Sequence, residues 1–287
     1  MNKIYPCLWF DQQAEEAAEY YVSLFNDSAI NNKAYYVDDV HREKGSLLTV
    51  DLTLAGQRFM TLNGGPEFSF TPAVSFFVDC ETKEEVERLW YAFMDGGQAL
   101  MPLQQYPFSD YFGWVQDRYG VSWQLSLSNI PQRISTAVMF ANEKLGRAKP
   151  AMEQWISLFE NSQVLAEFPA GELLQQALFT LEDSLFRVMD SPEKHPFGFT
   201  MAISFCVACA NQAEIDFLWE HLTKDGKEWP CGWAEDAYGL YWQIAPGDWG
   251  DLMDRSNPER AEAVAKEMYT MKKIDIAQLQ AVYNQFK

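Results

Sequence analysis

The chain has 287 residues, of which 48% are apolar and 15% aromatic, which is enough for two packed domains and excludes general disorder. A formal net charge of −19 argues against binding to nucleic acid or to an anionic membrane, since both need clustered Lys and Arg. No apolar run reaches the length of about 20 residues that a membrane helix needs. No secretory signal is evident, and five cysteines suit a reducing compartment, so we expect a soluble, cytoplasmic protein.

The first 63 residues predict a strand, a helix and a hairpin. Ile4–Phe10 has the pattern of a strand, and Asp11 offers an N-cap for the helix that follows. Residues 48–54 alternate between apolar and polar side chains, as in a half-buried strand, and a turn joins them to a second strand over 59–63. The helix keeps apolar residues at helical spacing: Ala14, Ala17, Ala18, Tyr21, Leu24 and Phe25.

The same order of elements then begins again. Val74–Cys80 predicts a strand, and Thr82 can cap a helix that ends at Gly96-Gly97. Two or three further strands are expected before Ser126. The apolar face of this second helix consists of Val86, Leu89, Trp90 and Phe93.

Self-comparison shows that the second half of the chain repeats the first. Residues 75–80 return as 204–209, and the motif Gly-Trp…Asp-x-Tyr-Gly-x-x-Trp-Gln at 113–124 returns at 232–243. Each copy is too long for a solenoid repeat, so we predict two tandem domains and a tail whose helix starts at Asn257-Pro258. We expect the two domains to pair within the chain, and a homodimer of the whole chain stays open. The predicted domains and tail are residues 1–128, 132–246 and 247–287.

Four kinds of segment carry a resemblance to a known family. They are Pro6-Cys7-Leu8-Trp9-Phe10, the Asn-Gly-Gly-Pro hairpin at 59–66, both Gly-Trp…Trp-Gln motifs, and residues 271–276. These segments resemble the PhnB-like branch of the vicinal-oxygen-chelate superfamily, which is labelled "3-demethylubiquinone-9 3-methyltransferase domain". The resemblance implies an α+β fold in which each domain has two βαβββ units that form a curled mixed sheet around a concave site.

The resemblance also implies where a metal would bind, since metal-dependent members use His and Glu from facing strands. At those positions this chain has Tyr5 and Ser135, Ala73 and Ala202, and Gln124 and Gln243. None is His, and a neutral amide is a weak metal ligand, so we predict no metal and no cofactor. The glycine-rich turn of an adenosyl-type methyl donor site is also missing, which disfavours the methyltransferase label.

We therefore predict a protein that binds a small molecule in an aromatic-lined cleft, with Trp9 and Gln124 in one cleft. Trp123 and Trp242 are expected in the core. The competing interpretation is that the aromatic residues simply fill the inner face of each sheet. The candidate binding residues are Tyr5, Trp9, Asn63, Trp114, Gln124, Asp190, Cys231, Trp233 and Gln243.

Two other classes of function stay open. One is a metal-dependent isomerase, lyase or dioxygenase of the same superfamily, and the other is a structural or regulatory module that pairs through a sheet edge or a helix. The Cys206–Cys209 spacing has no second pair to complete a zinc site, so buried structural thiols are favoured. The three histidines, at 41, 195 and 221, are expected at the surface.

Overall fold

The computed structural model describes residues 2–247, 249, 252 and 257–286. Its strands and helices follow one order, strand–helix–three strands, four times in succession. The first unit consists of β1 Ile4–Phe10, α1 Ala14–Leu24, β2 Ala29–Tyr35, β3 Leu47–Leu54 and β4 Gln57–Asn63. The second consists of β5 Val74–Cys80, α2 Lys83–Met94, β6 Gln98–Tyr106, β7 Ser109–Gln116 and β8 Ser122–Leu127.

The second half of the chain has the same elements. The third unit consists of β9 Arg133–Phe140, α3 Ala148–Leu158, β10 Gln163–Ala170, β11 Leu173–Leu181 and β12 Ser184–Asp190. The fourth consists of β13 Ile203–Cys209, α4 Gln212–Thr223, β14 Lys227–Glu228, β15 Trp233–Glu235 and β16 Tyr241–Pro246. Two tail helices follow, α5 Pro258–Thr270 and α6 Ile276–Asn284.

These strands form two eight-stranded mixed sheets, which confirms the predicted α+β class. Sheet A has the order β14-β15-β16-β13-β1-β4-β3-β2, and sheet B has the order β10-β11-β12-β9-β5-β8-β7-β6. Each sheet thus combines one unit from each repeat, the first with the fourth and the second with the third. The antiparallel pairs β1·β13 and β5·β9 join the repeats at the centre of each sheet, so the two repeats pair within one chain.

The helices and the apolar faces of both sheets form the core. In α2 the buried positions are those predicted from the helical spacing, and Thr82 caps this helix by accepting a hydrogen bond from the Glu85 N–H at 3.2 Å. Trp123 and Trp242 are fully buried, as expected. Phe59 of sheet A and Phe76 of sheet B meet at 5.1 Å between ring centroids, so the two units of a repeat pack back to back.

The first helix begins differently from the prediction. It starts at Ala14, too far from Asp11 for that side chain to cap it, and the Ala14 N–H donates to Oδ1 of Asn63 at 2.9 Å. Asp11 instead accepts a hydrogen bond from Arg42 at 2.9 Å. A side chain on the neighbouring strand therefore satisfies an N–H that a local cap would otherwise bind.

The tail helices pack on the fourth unit, and Asn257 and Pro258 start α5 as predicted. The Cys231 and Gly232 N–H groups donate to the carbonyls of Met271 and Lys272 at 2.8 and 2.7 Å. The apolar contacts of the tail are made by Leu252, Val264, Met271, Ile274 and Leu279. Within the described ranges, every helix is too short or too polar to span a membrane.

Candidate functional site

Among the residues that the structure describes, each sheet has one face that packs on helices and one face that does not. Side chains alternate between the two faces along a strand. On β1, Ile4, Leu8 and Phe10 belong to the core, so Tyr5 and the other odd-numbered residues point to the opposite side. We call this helix-free side of sheet A face A, and the equivalent side of sheet B face B. Face A includes Tyr5, Cys7, Trp9, Arg58, Met60, Ser204, Cys206, Trp233 and Gln243. Face B includes Ser75, Phe77, Asp79, Phe112, Trp114, Gln124, Ser135, Ala137 and Arg187.

Face A brings together Tyr5, Trp9, Trp233 and Gln243 from the predicted set, and all four are half-buried. The Trp9 and Trp233 rings meet edge to face, with centroids 5.7 Å apart. Gln243 pairs with Trp233 in the strand register, and its amide nitrogen donates to the Ser204 hydroxyl at 2.9 Å. The carbonyl oxygen of this amide is the end that can still accept a hydrogen bond from a ligand.

The Asn-Gly-Gly-Pro loop holds Trp9 in place. The indole N–H donates to the Gly65 carbonyl at 2.8 Å, and the Phe68 ring lies 5.1 Å from the Trp9 ring. A Cβ atom on Gly64 would lie 2.1 Å from the indole, so only glycine lets the backbone approach this ring. The motif that carried the family resemblance therefore shapes one wall of face A.

Tyr5 and Arg58 supply the polar part of face A. The Arg58 guanidinium lies 3.9 Å from the centre of the Tyr5 ring, and its Nε donates to Asp51 at 2.9 Å. Burial raises the pKa of Tyr5 well above its usual range, and the neighbouring Cys206 adds a smaller increase. The positive charge of Arg58 opposes this shift. The Tyr5 hydroxyl is therefore protonated at neutral pH.

Face B carries Trp114, which is half-buried, and Gln124, which is buried. Gln124 is 6% exposed and donates to the Ser75 hydroxyl at 2.8 Å, the same contact that Gln243 makes in face A. Arg187 is 8% exposed and forms an ion pair with Asp79 at 3.0 Å. The apolar part of this face consists of Phe77, Phe112 and Ala137, with Met101, Tyr106 and Trp114 packed against them.

Trp9 and Gln124 therefore lie on different sheets, and the expectation that they line one cleft is wrong. Both belong to the first repeat, but β1 pairs with β13 of the second repeat, whereas β8 lies beside β5 in sheet B. The partners of Trp9 are instead Trp233 and Gln243 from the fourth unit.

Asn63 and Asp190 point to the helices, and the structure places neither on a helix-free face. Asn63 caps α1, and Asp190 accepts hydrogen bonds from the Gly146, Ala148 and Leu174 N–H groups at 2.8, 3.3 and 3.0 Å. Both are nearly fully buried, so in both repeats this position anchors the start of a helix.

Cys231 lies against the tail. Its backbone adopts a positive φ of 60°, and its thiol lies 3.8 Å from the Met268 carbonyl. This cysteine therefore belongs to the contact between the fourth unit and α5.

The repeated motif contains a buried carboxylate that the sequence reasoning did not single out. Oδ2 of Asp117 accepts hydrogen bonds from the Tyr21 hydroxyl at 2.7 Å and the Trp123 indole at 2.9 Å. Oδ2 of Asp236 accepts from the indoles of Trp155 and Trp242, both at 2.9 Å. Burial raises the pKa of both carboxyl groups, although these hydrogen bonds oppose the shift. The presence of Asp in both copies of the motif was the sequence signal that could have identified these carboxylates.

The donors on face A do not fit the divalent ion that the fold family implies. Tyr5, Ser204 and Gln243 offer neutral oxygen atoms and an amide, and the Asp51 carboxylate is already paired with Arg58. Ala73 and Ala202 lie just before β5 and β13. Among the described residues, no three His, Cys, Asp or Glu side chains converge on one point.

The histidines lie away from face A. His41 and His195 are in loops, where His41 packs on Tyr269 with ring centroids 4.8 Å apart. His221 lies on α4, where its Nδ1 is 2.7 Å from the Phe217 carbonyl.

A family model described as 3-demethylubiquinone-9 3-methyltransferase matches residues 2–126 and 132–245. The chain therefore belongs to this family, the PhnB-like branch of the vicinal-oxygen-chelate superfamily. Among solved structures, the PhnB protein of Bacillus cereus is 43% identical over 42% of this chain and 96% of its own, with a TM-score of 0.40.

Two longer structures share the fold over both repeats. Glyoxalase I of Zea mays is 10% identical over 83% of this chain and 89% of its own, with a TM-score of 0.53. A Bacillus subtilis protein described as a dioxygenase is 8% identical over 86% of both chains, with a TM-score of 0.50. Among curated proteins, nothing matches the chain.

Proposed function

We propose that face A binds a small molecule and that this protein is a binding protein of the vicinal-oxygen-chelate superfamily that works without a catalytic divalent metal. The observation that carries the proposal is the contrast between equivalent residues of the two faces. Gln124 is buried, whereas Gln243 is half-buried beside two half-buried tryptophans. The five free cysteines support a reducing, cytoplasmic location.

The side chains of face A favour a ligand with a flat or apolar body and a polar end. Trp9 and Trp233 provide apolar surface, and the Gln243 carbonyl oxygen accepts a hydrogen bond from the ligand. The neutral Tyr5 hydroxyl donates, and Arg58 adds a positive charge beside it. Such a site fits an uncharged or weakly acidic aromatic or heterocyclic compound.

Matched substitutions at Gln243 and Gln124 test this proposal. We expect Gln243→Leu to weaken binding by about 1–3 kcal/mol, because a polar group of the ligand loses its partner. Gln124→Leu should leave affinity unchanged and lower stability by about 1–3 kcal/mol, because the buried Ser75 hydroxyl loses its hydrogen bond. The measurements are calorimetric titration with a ligand selected by thermal-shift screening, and thermal melts. Unchanged affinity in Gln243→Leu would refute the assignment to face A.

The competing class, a metal-dependent isomerase, lyase or dioxygenase, requires a bound divalent ion. Since the described residues of face A include no imidazole and its Asp51 carboxylate is paired with Arg58, we expect well under one equivalent of Zn, Ni, Fe or Mn after dialysis. Elemental analysis of freshly purified protein measures this directly. Stoichiometric Zn, Ni, Fe or Mn that survives dialysis would favour the enzyme.

A further inference from the structure

Three sulfur-containing side chains lie on face A, on three adjacent strands. Cys7 lies on β1, Met60 is its direct partner on β4, and Cys206 lies on β13 across the junction of the two repeats. Cys7 pairs with Ser204, so Cys206 is its diagonal neighbour on the same face. The two thiols therefore project from neighbouring strands towards the same side of sheet A.

Met60 points to the same face as the two thiols. Its neighbour Phe59 belongs to the core, and its other neighbour, Thr61, donates to the Ala14 carbonyl of α1 at 2.9 Å. Because side chains alternate along a strand, Met60 must point away from the helix, onto face A. Neighbouring strands are about 5 Å apart, so side chains on the same face of adjacent strands lie close together.

The thiols form the floor of face A. Cys7 is fully buried and Cys206 is 5% exposed, whereas Met60 and the surrounding Tyr5 and Trp9 are half-buried. The floor is therefore shielded from bulk water but lies directly under the more open part of the face. Arg58, which stacks on the Tyr5 ring, is close enough to Cys206 to place a positive charge beside it.

Face B shows that the fold does not require sulfur at these positions. The register pair Cys7–Met60 corresponds there to Ala137–Arg187, and the pair Tyr5–Cys206 corresponds to Ser135–Phe77. The equivalent floor holds an aromatic ring, a small side chain and an ion pair. Of these two sets of equivalent positions, only the set on face A carries sulfur-containing side chains.

We propose that Cys7, Cys206 and Met60 form a binding site for a soft monovalent ion, Cu(I). Thiolate and thioether ligands select Cu(I), whereas hard divalent ions need several oxygen ligands. The carboxylate beside this floor, Asp51, is already paired with Arg58. Each thiol loses its proton to solvent as its sulfur binds the metal, and copper keeps its oxidation state. Two thiolates and one Cu(I) leave a single negative charge beside the Asp51–Arg58 ion pair. This site lies beneath the proposed small-molecule site on the same face, and its test does not require the small-molecule ligand.

Anaerobic titration of the reduced full-length protein with Cu(I), in competition with the chromophoric chelator bicinchoninate, tests the proposal. We expect one equivalent bound by the wild type and loss of that equivalent in Cys7→Ala and in Cys206→Ala. Cys7→Ala introduces the residue that face B carries at the same position, so the fold should tolerate it. Met60→Leu should keep one equivalent with weaker retention against the chelator.

Cys80→Ala is the matched control, because Cys80 is a fully buried strand cysteine on the helix side of β5. It should bind as much copper as the wild type. X-ray absorption at the copper edge should show sulfur neighbours only, and this measurement needs no substitution. Absence of a stoichiometric site in the wild type, a full equivalent in the Cys7→Ala/Cys206→Ala double variant, or a nitrogen and oxygen shell would each overturn the proposal.

Discussion

Asp117 and Asp236 show how a single buried carboxylate can join the two units of a repeat. One oxygen of each accepts backbone N–H groups of its own turn, those of Tyr119 and Val121 for Asp117. The other oxygen accepts side-chain donors, of which Tyr21 in the first repeat and Trp155 in the second come from the helix of the preceding unit. Burying a carboxylate is unfavourable unless hydrogen bonds satisfy it, and here four do so.

Replacement of these carboxylates by Asn should affect the two repeats unequally. Asp236→Asn turns an NH₂ group towards two indole N–H groups, which cannot accept a hydrogen bond. In Asp117→Asn the Tyr21 hydroxyl can rotate and accept from the amide instead. Each stranded indole N–H costs about 1–3 kcal/mol, so Asp236→Asn should lower the free energy of unfolding more than Asp117→Asn does. Urea denaturation measures both, and equal losses would contradict this explanation.

At the scale of elements, ion pairs fasten α5 to the loop before β3. Glu262 lies 2.7 Å from Lys266 one turn along α5 and 2.6 Å from Lys44 in that loop. The hydrogen bonds from Lys266 and Lys44 lower the pKa of Glu262 to about 2. Because the folded pKa lies below the ordinary value of 4.5, this stabilisation is complete above pH 4.5 and is lost as the pH falls towards 2.

Hydrogen exchange of the α5 amides should therefore increase, after correction for the intrinsic rate, between pH 4.5 and 2. At neutral pH, Lys44→Ala should increase α5 exchange modestly, since exposed ion pairs are weak. Lys149→Ala, which removes an exposed ion pair to Glu167 far from the tail, is the control and should leave α5 unchanged. Identical exchange in both variants would show that the contact with Lys44 does not hold the helix.

At the scale of the whole molecule, the two repeats share both sheets. Neither β1 nor β5 is an edge strand, because β13 and β9 of the second repeat cover them. A separated repeat would expose two central strands with unpaired N–H and C=O groups, which favours association with other chains.

Expression of residues 1–129 and 130–287 as separate chains tests this arrangement. We expect the two halves to co-purify as a 1:1 complex with a circular dichroism spectrum like that of the intact protein. The first half alone should form oligomers or aggregate, since its β1 and β5 edges are uncovered. A stable monomer of residues 1–129 by light scattering would contradict the shared-sheet architecture.

Much of the local structure followed from the sequence by itself. The strand pattern of Ile4–Phe10, the cap at Thr82 and the buried tryptophans Trp123 and Trp242 depend on side-chain period and on neighbours within a few residues. The internal repeat, together with the order of elements within each copy, predicted four similar units, because repeated motifs preserve local packing. These features are readable because the interactions that create them are close in sequence.

The site was decided only by the tertiary structure. All four units have one pattern of strands, so nothing local specifies that β1 pairs with β13 and β5 with β9. That choice places Trp9 beside Trp233 and separates it from Gln124. The same long-range contacts turn Asn63 and Asp190 into helix caps and bring Cys206 beside Cys7 and Met60. Pairing between distant strands depends on which edges the whole chain must cover, and this is a property of the assembled fold rather than of any segment.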